Sequence, residues 1–207
     1  MDSTKAWAES LGIETTRDLA PIVDCDEPYA RTASQVAIRA VILHGVVAAA
    51  YKVEARPIVE WLRNQRIWDS VTPLERDFLA GKDRSDAVCI PRQWKQEAVW
   101  TLLWMIGKVE SLGLPTHNCD TARLVDEIIP PLGDDLEPFI TQSRLRAHGE
   151  LVAEDLRTYN LWCYARAAMR RNEPLPTDLN LAVLRERRYA FEWMDGFQEW
   201  DHVTCDA

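Results

Sequence analysis

The strongest regularity along the chain is helical. From about Thr32 onward apolar side chains return every three or four positions, and no convincing run alternates apolar with polar. Residues 33–51 are apolar on nearly every face, as a central helix is. Pro57 can open a helix over 58–65, since proline is tolerated in the first turn. Thr72-Pro73-Leu74-Glu75 joins an N-cap, a proline at the first helical position and the reciprocal acid of a capping box; it starts a short helix that stops near Gly81. Residues 82–89 are polar and read as a loop. Pro91 is expected to open a second central helix that runs to about Glu110, apolar all round in its middle, with Gly113 and Pro115 as terminators.

Asp120 suits the cap of a helix reaching Ile129, and Pro130-Pro131-Leu132-Gly133 breaks the chain again. Residues 136–171 hold one helix or a pair, with an apolar stripe of Leu145, Val152, Leu156, Tyr159 and Cys163. Pro174 and Pro176 make a linker, 180–194 is the last helix, and the tail is irregular. Residues 1–30 form an acidic lead with one short amphipathic helix around Trp7 and Leu11 and a loop at 24–28. The pattern therefore predicts an all-α protein. Residues 31–207 are expected to form a single irregular or orthogonal bundle of about seven to nine helices, preceded by the 1–30 lead.

Composition narrows the classes. A chain of 207 residues is one large domain or two small ones, long enough to bury a core without staples. Its net charge of −9 argues against nucleic acid, whose binders carry basic surfaces. Eight glycines are too few for sites built from Gly-rich loops. Five cysteines, with no C-x-x-C pair, give neither a zinc ribbon nor a redox motif. The N-terminus has no basic start followed by an apolar stretch, which together with the cysteine usage leads to the expectation of a reduced, cytoplasmic protein. The longest apolar run, 36–51, is interrupted by Arg39 and His44 and falls short of the ~20 residues of a membrane span, so a buried core helix is expected there.

The informative residues are charges on apolar faces. On a helical wheel Glu97 falls among Trp94, Ala98, Thr101 and Trp104, Arg39 lies among apolar neighbours, and Arg187 lies within the arc of Val183, Leu184, Ala190, Phe191 and Met194. Asp155, Tyr159, Trp162 and Arg166 share one face. Asp155 and Arg166 are about 16 Å apart along the axis, so each is expected to need a partner from another helix. Unpaired buried charges cost several kcal/mol. Two arrangements satisfy them: a polar interhelical pocket for a small anionic molecule, built from Arg39, Glu97, Asp155, Arg166 and Arg187, or an ion-pair network that fixes how the helices dock.

The same residues carry a resemblance. Four stretches appear in order: the Arg39-Ala40 apolar helix; Trp94-Lys95-Gln96-Glu97-Ala98 with Leu102-Leu103-Trp104; Arg144 with Asp155, Trp162 and Arg166; and Glu186-Arg187-Arg188-Tyr189-Ala190-Phe191-Glu192-Trp193 followed by Trp200-Asp201-His202-Val203-Thr204-Cys205-Asp206. Over residues 31–207 the chain resembles the bacterial family called domain of unknown function 4272. It departs from that pattern at Lys95, where the family has Arg, at Arg188, where it often has His, and at Ala207, where it has Thr. The resemblance implies an α-helical domain and no assigned activity.

Signatures of zinc proteases, P-loops, dinucleotide sites and α/β-hydrolases do not occur. His117-Asn118-Cys119-Asp120 groups three potential ligands, but the remaining histidines are scattered, and the segment reads as a loop ending in an N-cap. Neither a catalytic residue, a metal nor a cofactor is expected. The C-terminal Trp200-Asp201 segment is expected to dock on the body, its acids capping a helix or pairing with Arg. Two readings of function remain. One is a non-enzymatic helical module acting through protein–protein contact, such as an inhibitor or immunity-type partner, marked by an exposed apolar or acidic patch. The other is a small-molecule-binding protein or enzyme, marked by the five charges converging on one cavity.

Overall fold

The computed structural model describes residues 28–175 and 179–205. The expected short helix at Trp7 and Leu11, Pro176 of the linker and Asp206 of the tail lie outside them. The described residues contain eight α-helices and no strand: α1 (Ala33–Ala50), α2 (Ala55–Asn64), α3 (Pro73–Leu79), α4 (Asp86–Met105), α5 (Thr121–Arg123, continued as a π-helical turn over Leu124–Ile128), α6 (Glu137–Thr141), α7 (His148–Arg170) and α8 (Leu181–Met194). Short 3-10 turns occur at Trp68–Ser70 and Trp200–His202.

The core is built on α1 packed against α4, with α8 laid along α4 and α7 along α8. α1 starts where Thr32 and Gln35 cap each other reciprocally. By length and composition α1 could cross a membrane, yet 67% of it is buried within the helical body. It approaches α2 so closely at Gly45 that a Cβ there would lie 2.8 Å from Ile58 Cγ2. A smaller apolar cluster of Leu161, Trp162, Ala165, Leu179 and Leu184 joins α7 to α8.

Both boundaries of α4 differ from the sequence expectation, and α2 starts at Ala55, two residues ahead of Pro57. α4 begins at Asp86, so Pro91 lies inside the helix and does not open it. The Ser85 carbonyl accepts the N–H of Val88 at 3.0 Å and of Cys89 at 2.8 Å, closing a turn upstream of the proline, and Cys89 is buried. The bond Pro91 cannot make would fall in the first turns, on an exposed face. The same helix ends at Met105, short of Glu110. Gly107 adopts φ +73° and donates to the Trp104 carbonyl, while Lys108 donates to that of Leu103, a Schellman closure that only a residue tolerant of positive φ completes easily.

The face of α7 is also rotated. Leu151, Glu154, Thr158, Leu161, Trp162, Ala165 and Ala168 are its buried line, and the expected stripe of Val152, Leu156, Tyr159 and Cys163 is only half-buried. The Tyr159 side faces a charged network, described below. Other expectations match: the capping box at Thr72, the Asp120 side chain accepting from Arg123 N–H, and a last helix that starts at residue 181, where Asn180 caps it.

Candidate functional site

The five charges from the apolar faces do not meet in one place. Arg39, on α1, is buried and reaches Glu75 at the start of α3, with Nη2 at 2.6 Å and 2.7 Å from the two carboxylate oxygens. Glu75 also accepts the Thr72 N–H at 3.0 Å, so one carboxylate serves both the capping box and the ion pair. Trp200 from the tail covers the pair, its ring 5.1 Å from the Arg39 guanidinium. The tail docks as expected: Thr72 Oγ1 donates to Asp201 at 2.7 Å, Leu74 N–H donates to the same carboxylate at 3.1 Å, and the Trp200 ring meets those of Tyr189 and Trp193 edge-on. Lys95 lies in the same layer, 2.8 Å from Glu186 and 3.4 Å from the centre of the Tyr189 ring.

Glu97 and Arg187 sit elsewhere. Glu97 is 1% exposed; its Oε1 accepts the Cys119 N–H at 2.8 Å, and its Oε2 is buried without a partner. Burial raises its pKa, opposed by the Cys119 hydrogen bonds and the nearby Arg187. Arg187 donates to the carbonyls of Leu112 at 2.6 Å and Gly113 at 2.7 Å, so its hydrogen bonds hold a loop in place. The Cys119 thiol is pushed far up by burial and by Glu97, which makes it a poor nucleophile. Since Glu97 works as an acceptor for a backbone N–H, Glu97→Gln preserves that role. Chemical denaturation is expected to show a change below about 1 kcal/mol; a loss of several kcal/mol would show instead that a charge pair with Arg187 holds the helices.

Asp155 finds its partner on another helix, as expected: Arg188 of α8 at 2.5 Å, together with the Tyr29 hydroxyl at 3.1 Å. Arg166 departs from expectation. It is half-exposed and stacks on Trp162 of its own helix at 5.8 Å, so water and one ring replace a partner from another helix.

A cavity of about 280 Å³ opens between α7 and the loop that follows α4, lined among others by Trp104, Gly113, Arg146, Glu150, Glu154 and Arg157. None of the five predicted residues lines it; Arg187 only grips the backbone of its wall. Arg146 is engaged with the carbonyls of Trp104, Val109 and Glu110 and pairs with Glu150, while Arg157 pairs with Glu154. The missed signal in the sequence is the spacing of Glu150, Glu154 and Arg157, which places them along one side of α7, with Arg146 just ahead of the helix. Among the described residues no group of His, Cys, Asp and Glu is arranged to hold a metal ion.

Four exposed apolar side chains lie on segments that meet at α4. Tyr51 and Thr121 both donate to Gln96 Oε1, at 3.4 Å and 3.2 Å, and Gln93 donates to the Ala50 carbonyl. These bonds bring the α1–α2 turn and α5 to the same side of α4. Tyr51, Val53, Ile90 and Val125, all on these segments, are 51%, 48%, 51% and 49% exposed.

The model of one family, described as a domain of unknown function (DUF4272), matches residues 1–203. The match begins ahead of the residues that carry the resemblance and takes in the N-terminal lead. No curated protein and no solved structure matches the chain.

Proposed function

The chain belongs to the DUF4272 family, and for this member we propose a non-enzymatic role as a helical module that binds a protein partner through the Tyr51–Val53–Ile90–Val125 face. The observation that carries this reading is that four half-exposed large apolar side chains lie on three segments which the hydrogen bonds of Gln93 and Gln96 tie together. Glu54, Asp86, Asp120 and Asp126 are exposed on the same segments and outnumber the exposed bases Lys52 and Arg123 there, an excess of acid that suits a basic partner and fits the overall charge of −9. Four of the five predicted charges support the same reading, because Arg39, Asp155 and Arg187 are engaged inside the molecule and Glu97 holds a backbone N–H. The cavity beside α7 fits a small anionic ligand less well, since its two arginines are paired with Glu150 and Glu154.

The test is capture from native lysate by the full-length protein and by Val53→Glu/Val125→Glu, which adds acid to the face. Both residues are half-exposed, so the variant is expected to melt within ~0.5 kcal/mol of wild type. A protein retained by wild type and lost with the variant is the expected result. Equal retention by both would remove the face from the account.

A further inference from the structure

Arg146, just ahead of α7, and Arg187, on α8, together grip the loop that follows α4. Arg146 donates to the carbonyls of Val109 at 2.7 Å and Glu110 at 3.0 Å, and Arg187 to those of Leu112 at 2.6 Å and Gly113 at 2.7 Å. Arg146 also donates from its side chain to the Trp104 carbonyl at 2.7 Å and from its backbone N–H to that of Met105 at 2.9 Å, which ties the loop to the end of α4. A wall held in this way needs little ordering when a molecule binds against it. This loop and α7 enclose the cavity of about 280 Å³, a volume near the lower end of ligand sites.

The charges of the cavity balance. Glu110, Glu150 and Glu154 line it, and so do Arg146 and Arg157. A third guanidinium, Arg187, stands behind the wall at Leu112 and Gly113, within the field of Glu154. Arg146 pairs with Glu150, and Arg157 with Glu154. An ion of either sign would meet repulsion as well as attraction there and would have to part a pair. The Arg146 guanidinium lies 4.9 Å from the Trp104 ring centre, so N–H groups rather than a bare aromatic face are offered on that side.

Hydrogen-bonding capacity is left over. The Ser111 hydroxyl accepts the Gly113 N–H at 3.1 Å and keeps its own proton to donate. Arg146 Nη1 bonds Glu150 at 3.4 Å and carries a second N–H. The two Glu150 oxygens take one bond each, from Arg146 and from the Ala147 N–H at 3.2 Å, and each retains a lone pair. A hydroxyl group suits this set, since it donates to the carboxylate and accepts from the guanidinium at once while the pair stays closed.

We propose that the cavity beside α7 binds a neutral sugar, one ring in size, whose hydroxyls bridge Ser111, Arg146 and Glu150. This site shares no residue with the apolar face and does not depend on it.

The test is calorimetric titration of the full-length protein with D-glucose, D-galactose, D-mannose and D-ribose. Glucosamine and glucuronate serve as the cationic and anionic counterparts. At least one neutral sugar is expected to bind at one site per chain, and more tightly than either charged compound. Ser111→Ala and Glu150→Gln, both at exposed positions, should melt as wild type does and weaken that sugar by several-fold to about tenfold. No binding of any of the neutral sugars would overturn the proposal. So would tighter binding of glucosamine or glucuronate than of every neutral sugar, or an unchanged affinity in either variant.

Discussion

Replacing Arg39 with alanine is expected to lower the stability of the fold by about 3–5 kcal/mol, because it leaves Glu75 buried without its cation. Glu75 is 5% exposed and Arg39 4%, so water cannot readily stand in for the missing guanidinium. The remaining interaction of Glu75 is with the Thr72 N–H, so the start of α3 loses part of its cap at the same time. In a domain of this size the melting midpoint should fall by about 10 °C. The double replacement Arg39→Met/Glu75→Leu removes both charges and keeps most of the volume, and should recover most of the loss, since well-packed apolar side chains often serve as well as a buried pair. A thermal melt of the three proteins checks this. A drop below about 1 kcal/mol for Arg39→Ala would show that Arg39 escapes to solvent.

Trp200→Ala is expected to cost a similar amount, about 3–5 kcal/mol, for a different reason. The indole is 4% exposed and is wedged between Tyr189 and Trp193, with the Arg39 guanidinium on its face. Its removal opens a cavity and uncovers the Arg39–Glu75 pair together. Because Trp200 and Arg39 touch, combining Trp200→Ala with Arg39→Ala should cost less than the sum of the two. Denaturant titration of the four proteins measures that coupling. Strict additivity would mean that the tail rests on the body without supporting the pair.

The two effects show how legible this molecule is from its sequence. The Thr72–Glu75 capping box and the buried Arg39 were separate features of the pattern, and the structure makes them one device, with Glu75 common to both. Helix existence followed from apolar periodicity, which the buried core of α1 and α4 obeys. Helix ends followed less well where competing punctuation was present. Pro91 is a strong breaker by residue type, but the Ser85 carbonyl had already closed a turn around the buried Cys89. Gly113 and Pro115 looked like terminators, yet Gly107 comes first along the chain and takes the positive φ.

Arg39, Glu97 and Arg187 were recognisable as buried charges from their wheel positions, but their partners were not. Two of Arg187's partners are backbone carbonyls of a loop, and Glu97 binds a backbone N–H, groups that every residue possesses and no sequence pattern marks. Arg166 shows the opposite failure: an Arg on a face of mixed character can leave its head in water while its stem lies on a ring. The apolar face beside Gln96 was invisible for a topological reason. Tyr51, Val53, Ile90 and Val125 come from three separate segments, and only the fold ties those segments together at Gln96.

The division of labour, in which interior charges hold the helices and the apolar face meets a partner, has one direct measurement. Wild type, the charge-free Arg39→Met/Glu75→Leu protein and the face variant Val53→Glu/Val125→Glu are each coupled to resin at equal density, and the retained partner is quantified from the same lysate. The charge-free protein should retain the partner as wild type does, while the face variant loses it. A folded charge-free protein that releases the partner while the face variant keeps it would contradict the division outright.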